Sequence, residues 1–249
     1  MQHDTMHHAN WFKDAFGDLY PILYAHRSVA QAEQEARFAA TQLQLKRSDF
    51  LLDVCCGGGR HLMHLMNCAG ATFGLDYSRY LLDEARATLP ASRLVRADMR
   101  AIPFVNAFDA VTSFFTSFGY FLEDAENARV LTEIARSLKI GGRFFIDHVN
   151  AQHIEENLAP RTVRWLESHE IREERWIDRN SRRLNKKAAI FQQGVCIREH
   201  RESVRLYAPQ EFESLLRTAG LATVSFFGGF QGEPLAREHA RMIAVGEKI

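Results

Sequence analysis

The chain has 249 residues, enough for one large domain or for a core domain carrying an insertion. Its 31 basic and 31 acidic side chains cancel, which argues against a dedicated nucleic-acid or anionic-membrane partner, where a basic surplus is expected. No apolar stretch reaches the length of a membrane span, and the polar segment 1–10 lacks the apolar run of a signal peptide, so a cytoplasmic protein is expected.

Cys55 and Cys56 adjoin inside a glycine loop, with Cys68 and Cys196 elsewhere, a spacing that suits reduced thiols better than a disulfide framework. His3, His7 and His8 have no carboxylate or cysteine at a supporting spacing, so they read as a solvated terminus and no metal site is expected.

In chain order, residues 11–24 carry aromatics at helical spacing, with a kink or break expected at Pro21. Residues 29–45, rich in Ala, Gln and Glu, predict a second helix. Residues 50–55 are an apolar strand entering glycines, and a helical pattern restarts at 61–66. A second strand spans 71–76, and Ser78 caps the helix that follows, to about residue 87. Strands are predicted at 93–97, 108–115 and 143–149, with a helix at 124–138 stopped by Gly141-Gly142. Alternation at this pace implies βαβ crossovers and a parallel sheet covered on both faces.

After Asn150 the pattern changes. Apolar and polar residues partly alternate over 163–177 and 188–205, separated by a polar turn at 178–183, which predicts an antiparallel hairpin or meander with one solvated face. Pro209 opens a further helix to Ala219, and residues 221–227 and 241–245 complete the chain as an antiparallel edge pair. The expected organisation is a helical cap (1–45), an α/β core (46–150), a β insertion (151–207) and a C-terminal helix with edge strands (208–249). The fold class is α/β: a doubly wound, Rossmann-like seven-stranded sheet with helices on both faces and a small antiparallel insertion after strand five.

The densest signal is Leu51-Leu52-Asp53-Val54-Cys55-Cys56-Gly57-Gly58-Gly59-Arg60-His61, a strand running into a glycine loop and then a helix. Gly57 and Gly59 let the backbone approach a ligand closely, although a structural tight turn has the same composition. Asp76 ends the second strand beside that loop, where a carboxylate accepts both hydroxyls of a ribose; a helix-capping aspartate is the alternative. Asp98 ends the third strand, where it suits an adenine amine or is an ordinary loop acid. A nicotinamide fingerprint would place a third glycine where Leu62 stands, which argues against that cofactor.

Together, Asp53 to His61, Gly74-Leu75-Asp76-Tyr77-Ser78 and Ala97-Asp98-Met99 resemble the class I S-adenosylmethionine-dependent methyltransferases. The likeness is strongest over residues 45–150. Phe16-Gly17-Asp18-Leu19-Tyr20, the insertion and Phe227-Gly228-Gly229-Phe230 are similar to the branch containing sugar N-methyltransferases and glycine-N-methyltransferase-like enzymes.

The resemblance implies S-adenosyl-L-methionine as cofactor. Asp53, Gly57 and Gly59 would hold its methionine end, Asp76 its ribose, and Tyr77, Asp98 and the Met99 amide its adenine. Phe114 would lie near the methionine moiety, and Tyr24, Cys55 and Arg60 complete the expected cofactor site. The family usually has glycine where Cys55 stands, so the loop depends on the backbone angles there.

Acceptor-side candidates follow from the rule that ligands bind beyond the carboxyl ends of the strands. They are His148 as base, with Tyr120 and Tyr20. No Asn/Asp-Pro-Pro-Tyr/Phe run follows the fourth strand, as nucleobase amine methylation would require, and no Pro-Cys or Thr-Cys offers a cytosine nucleophile. Methyl transfer to N or O of a small molecule is the resulting expectation. Arg161, Arg164 and Trp165 of the insertion would lie near the pocket mouth, as lid or dimer contact. Methylation of RNA or protein, through the arginines of the insertion, is a rival reading, and so is a cofactor-binding module without transferase activity. A homodimer is an expected partner state.

Overall fold

The computed structural model describes residues 11–24, 28–90 and 93–249. His3, His7 and His8 lie outside the described residues. The helices are α1 (Phe12–Ala15), α2 (Leu19–Leu23), α3 (Val29–Gln42), α4 (Leu62–Leu65), α5 (Arg79–Ala85), α6 (Asp124–Ser137), α7 (Ala151–Asn157) and α8 (Pro209–Thr218). The strands are β1 (Phe50–Val54), β2 (Ala71–Asp76), β3 (Leu94–Arg96), β4 (Phe108–Ser113), β5 (Leu138–Val149), β6 (Arg161–Leu166), β7 (His169–Asp178), β8 (Arg183–Gln192), β9 (Val195–Arg205), β10 (Leu221–Phe227) and β11 (Arg241–Lys248).

Seven strands form one sheet in the order β10-β11-β5-β4-β1-β2-β3. The pairs among β1 to β5 are parallel, and β11 runs antiparallel to both β5 and β10. The order reverses between β1 and β4, so the cleft of a doubly wound sheet opens at the ends of those two strands. β11 is an interior strand rather than an edge, because its run Met242 to Val245 is apolar and buried on both faces.

Both faces are covered. Leu51, Ala110, Phe145 and Ile243 pack beneath α3 and α4. Leu52, Val111, Phe144 and Ile146 pack beneath α6 and α8. Burying such side chains stabilises the fold by about 1.5–3 kcal/mol each.

Local chemistry sets the element ends. Ser28 and Gln31 form a reciprocal capping box on α3, each side chain accepting from the other's backbone amide at 3.1 Å. The N-terminal helix breaks between α1 and α2 around Gly17, while Pro21 sits inside the first turn of α2, where its missing N–H is not needed. α6 ends without a glycine cap, since Leu138 turns directly into an extended backbone and begins β5.

The insertion is a four-stranded meander, β6-β7-β8-β9, with tight two-residue turns at Glu167-Ser168 and Gln193-Gly194. Its inner face, Ile171, Ala188 and Ile190, buries Leu23 of α2. α7 precedes it, capped by the Asn150 side chain. Among the described residues, no helix is long and apolar enough to cross a membrane.

Candidate active site

Two cavities meet at the carboxyl ends of β1 and β4. The first, of about 570 Å³, lies between α1 and the ends of β2 and β3; Asp76, Tyr77, Asp98 and Met99 form one wall and Phe12, Phe16 and Tyr120 the other. The second, of about 900 Å³, opens toward α2 and α3 past Asp53, Arg60, His61, Phe114 and Tyr24. Tyr20, Cys55, Gly57, Leu81 and Ser117 line both, so the two form one continuous cleft.

The loop after β1 turns sharply. Gly57 (φ +54°) and Gly59 (φ +80°) occupy left-handed backbone, and so does Cys55 (φ +62°). Cys55 therefore adopts the conformation that glycine would take without strain, at a cost of about 1–3 kcal/mol. Its thiol lies 3.5 Å from the sulfur of Met99. Burial pushes the thiol up, helped by the negative field of Asp76, Asp53 and Asp98, so it stays protonated. A side chain at Gly59 would meet Leu89 Cδ1 at 2.3 Å; that glycine serves helix packing and is not part of either cavity wall.

Three aspartates line this cleft. Asp76 accepts the Gly57 amide on one oxygen and the Ser78 amide on the other, both at 2.8 Å, which ties the glycine loop to β2. Burial still raises it against those bonds. Asp53 is 2% exposed and accepts the Thr112 hydroxyl at 2.8 Å. Burial lifts its pKa to about 7, the Thr112 bond opposing and Asp76 assisting. Asp98 is more open. Burial would raise it, but hydrogen bonds from the Arg100 side chain and backbone, then the Arg100 charge, outweigh this and hold it below the usual range. Arg100 in turn lies 4.2 Å over the Phe121 ring and pairs with Glu126.

Aromatic side chains close the cleft from the N-terminal side. Trp11 donates its indole N–H to the Tyr120 carbonyl at 3.2 Å. Phe16 stacks on Tyr120 at 5.5 Å, meets Tyr20 at 5.3 Å, and Tyr20 meets Tyr24 at 4.6 Å. The Ser78 hydroxyl joins this wall to α5, accepting the Leu81 amide and donating to the Phe16 carbonyl. On the opposite side His61 lies flat on Phe114, centroids 4.1 Å apart and planes 3° off parallel, with Nε2 2.8 Å from the Glu35 carboxylate. Arg60 lies 4.9 Å over the Phe115 ring.

The structure thus brings Tyr20, Tyr24, Tyr120, Asp53, Cys55, Gly57, Arg60, Asp76, Tyr77, Asp98, Met99 and Phe114 to the cleft. His148 is a correction. It is fully buried on the opposite face of β5, among Phe118, Tyr207 and Phe212, with Nε2 3.1 Å from the Arg205 carbonyl. Burial, with the Arg241 and Arg205 charges, lowers its pKa to about 3. Strand alternation gives the cleft-side face to its neighbour Asp147 instead.

Phe12, Phe16, Ser117 and His61 also form the walls, beyond the residues that the sequence motifs mark. His61 carried a usable signal, lying two residues past Gly59 where the chain enters α4.

The insertion supplies no residue to either cavity wall. Arg161 pairs with Glu174 at the surface, Trp165 is 68% exposed, and Arg164 donates to the Leu23 carbonyl at 2.5 Å. Its influence passes through α2. The Tyr24 hydroxyl accepts the Lys186 ammonium at 2.6 Å and donates to Glu202, which also holds His200 at 2.7 Å. Burial would raise Glu202, but the His200 bond, the Lys186 and His200 charges and the Tyr24 bond bring it to about 2. The arginines offered to a polyanion are largely paired within the protein: Arg172 with Glu170, Arg175 with Glu173, Arg182 with Glu211.

Residues 51–142, from β1 into β5, match the methyltransferase domain family. The chain is an S-adenosylmethionine-dependent methyltransferase. The methyltransferase is 28% identical over 232 residues to the dTDP-3-amino-3,4,6-trideoxy-alpha-D-glucopyranose N,N-dimethyltransferase of Streptomyces venezuelae, covering 88% of this chain and 94% of that one. It is 26% identical over 236 residues to the dTDP-3-amino-3,6-dideoxy-alpha-D-glucopyranose N,N-dimethyltransferase of Streptomyces fradiae, covering 90% of each. Among solved structures, Streptomyces venezuelae DesVI superposes with a TM-score of 0.70 at 26% identity, covering 93% of the methyltransferase and 98% of that chain. The enzyme's cofactor is S-adenosylmethionine, and its cleft suits that group: a left-handed cradle at Gly57, carboxylates at three depths, and aromatic walls for a cation.

Proposed function

We propose that the methyltransferase N-methylates the amino group of a nucleotide-linked amino sugar. The observation that carries this is the similarity, at 28% and 26% identity across about nine-tenths of the chain, to two enzymes named for dTDP-amino-sugar N,N-dimethylation. The second cavity supports it. Its wall offers hydrogen-bonding groups on Tyr24, Arg60, His61, Glu84 and Ser117 together with apolar ring faces on Phe114 and Phe115, a lining matched to a polar small molecule.

In this reading the first cavity takes the adenosine end of the cofactor. Asp76 accepts the ribose hydroxyls, Asp98 and the Met99 amide hold the adenine, and Tyr77 flanks it. Asp53, beside the turn through Cys55 and Gly57, takes the methionine end, with Phe114, Arg60 and Tyr24 at the junction. The bound cofactor supplies an activated methyl group. The chain's own residues align the acceptor amine in line with that methyl, exclude water with the Phe12, Phe16 and Tyr120 wall, and orient the amine through Tyr20 and Tyr120.

The organisation that goes with this function is an N-terminal cap (1–45), the cofactor-binding core (46–150), the meander (151–207) as support for α2, and a C-terminal segment (208–249) completing the sheet. Four thiols outside any disulfide suit a cytoplasmic setting. β6 exposes Val163 and Trp165, the surface assigned here to a second copy; a dimeric mass by light scattering is its test.

The activity test is direct. Purified enzyme with S-adenosylmethionine and either dTDP-3-amino-3,4,6-trideoxy-α-D-glucopyranose or dTDP-3-amino-3,6-dideoxy-α-D-glucopyranose should give a product heavier by one or two methyl groups. Cofactor binding without methylation of either dTDP-amino sugar would overturn the acceptor assignment and leave the enzyme class intact.

A further inference from the structure

Immediately after β4 the backbone enters the left-handed region twice in succession, at Phe115 (φ +53°) and Thr116 (φ +59°). Neither is glycine, and Thr is β-branched, for which positive φ is a genuine outlier. Such residues cost about 1–3 kcal/mol each and persist where the surroundings over-determine them.

The surroundings here are one ion pair with a buried carboxylate. Asp147 of β5 is fully buried. One of its oxygens, Oδ1, accepts Nε and Nη2 of Arg241 at 2.7 and 2.6 Å; the other, Oδ2, accepts the Phe115 amide at 2.8 Å. The Asp147 carbonyl accepts the Thr116 amide at 2.9 Å, and Arg241 Nη2 also donates to the Thr116 hydroxyl at 3.1 Å. The Arg241 guanidinium lies 5.6 Å from the Phe115 ring centroid, on a ring that Arg60 also contacts. Both amides of the turn and the Thr116 hydroxyl are thereby fixed to Asp147 and its partner. Arg241 reaches Asp147 from β11, whose Ile243 is the register partner of Asp147, so the pair is a diagonal cross-strand contact.

The turn so held forms the wall of the cleft: Phe115 lines the second cavity and Ser117 lines both. We propose that Asp147 and Arg241 are positioning residues for methyl transfer, which impose the strained Phe115-Thr116 turn and so set the wall against which the acceptor is aligned. The pair touches neither cavity itself. It acts on acceptor geometry through the turn, and leaves the adenosine end of the cleft unchanged. The kinetic half of this inference rests on the amino-sugar reading; the structural half does not.

The test compares Asp147→Asn, Thr116→Gly and the double variant with the wild type. In Asp147→Asn, exchange of the Phe115 and Thr116 amides should accelerate by about tenfold or more, with the other β5 amides unchanged. KM for the dTDP-amino sugar should rise about tenfold while the Kd for S-adenosylhomocysteine stays within about threefold. Glycine takes φ near +59° without strain, so Thr116→Gly added to Asp147→Asn should recover part of the lost KM, a rescue that a merely structural pair would not show. Should Asp147→Asn fail to fold, Arg241→Lys keeps the charge, loses the fork and carries the same expectations. Unchanged turn exchange would overturn the clamp, and so would altered exchange with unaltered acceptor KM, or a defect without rescue by glycine. A wild-type enzyme that binds cofactor but methylates neither sugar overturns the acceptor assignment, and the exchange measurement alone then decides the clamp.

Discussion

The cleft is bounded by two turns that solve the same problem differently. After β1 the chain turns through left-handed backbone at Cys55, Gly57 and Gly59, two of the three being glycine. After β4 it does so at Phe115 and Thr116 with no glycine, and the buried Asp147 paired with Arg241 holds it. In the first turn Gly57 leaves the wall of both cavities open and Gly59 leaves room for Leu89. In the second the side chains are kept, Phe115 on the cavity wall, and the strain is offset by an ion pair. Strain relieved by glycine is written in the local sequence. Strain held by a pair separated by 94 residues is not.

The largest expected effect breaks the first turn. Gly57→Val places a β-branched residue at φ +54° on the wall of both cavities. Affinity for S-adenosylhomocysteine should fall by about 100-fold or more, the equivalent of about 3 kcal/mol of strain. Binding within threefold of wild type would mean that the loop is not a cofactor cradle.

The next effect concerns charge beneath that turn. The Asp53 pKa is raised to about 7, chiefly by burial, so the ligand-free protein holds a proton there that the unfolded chain releases near its ordinary value. The sign follows: this group's contribution to stability is greatest in acid and is lost as pH rises through about 7. Binding a cationic methionine end requires the ionised form. Affinity for S-adenosylmethionine should therefore weaken below pH 7, by up to about tenfold per unit, with proton release on binding seen by calorimetry in buffers of different ionisation enthalpy. A flat affinity from pH 5.5 to about 8 would exclude Asp53 from the methionine end.

A smaller effect tests the residue that makes the first turn resemble the second. Cys55→Gly removes the Cβ penalty at φ +62°. It should raise the melting temperature by about 2–4 °C, the shift expected for about 1 kcal/mol in a chain of this size. A fall would show that the thiol's contacts, including that with Met99, outweigh the strain.

The smallest effect concerns His148. Because it lies on the α8 face of β5, His148→Gln should leave kcat and its pH profile within about twofold of wild type in the folded fraction. Loss of the acid limb of the profile would return it to the chemistry.

The same contrast explains which parts of the molecule were legible. The five parallel strands, Ser78 as a helix cap and Asp76 beside the glycine loop follow from apolar runs, capping chemistry and the switch-point rule. His148 did not, because β5 is apolar on both faces and a strand buried on both sides offers no alternation from which to choose a face. The meander showed its alternation, yet its division into four strands was hidden, since Glu167-Ser168 carries no glycine although Glu167 turns at φ +52°. The Tyr24–Glu202–Lys186 contact that anchors α2 spans more than 160 residues and leaves no local trace.

The central claim is that this carboxylate-lined cleft holds S-adenosylmethionine, with Asp76 on its ribose. Calorimetric titration of the purified enzyme with S-adenosylhomocysteine, beside Asp76→Ala, tests it most directly. Micromolar binding in the intact enzyme, lost in a variant that still folds, is the predicted result. Undiminished binding by Asp76→Ala, or none by the folded wild type, would contradict it.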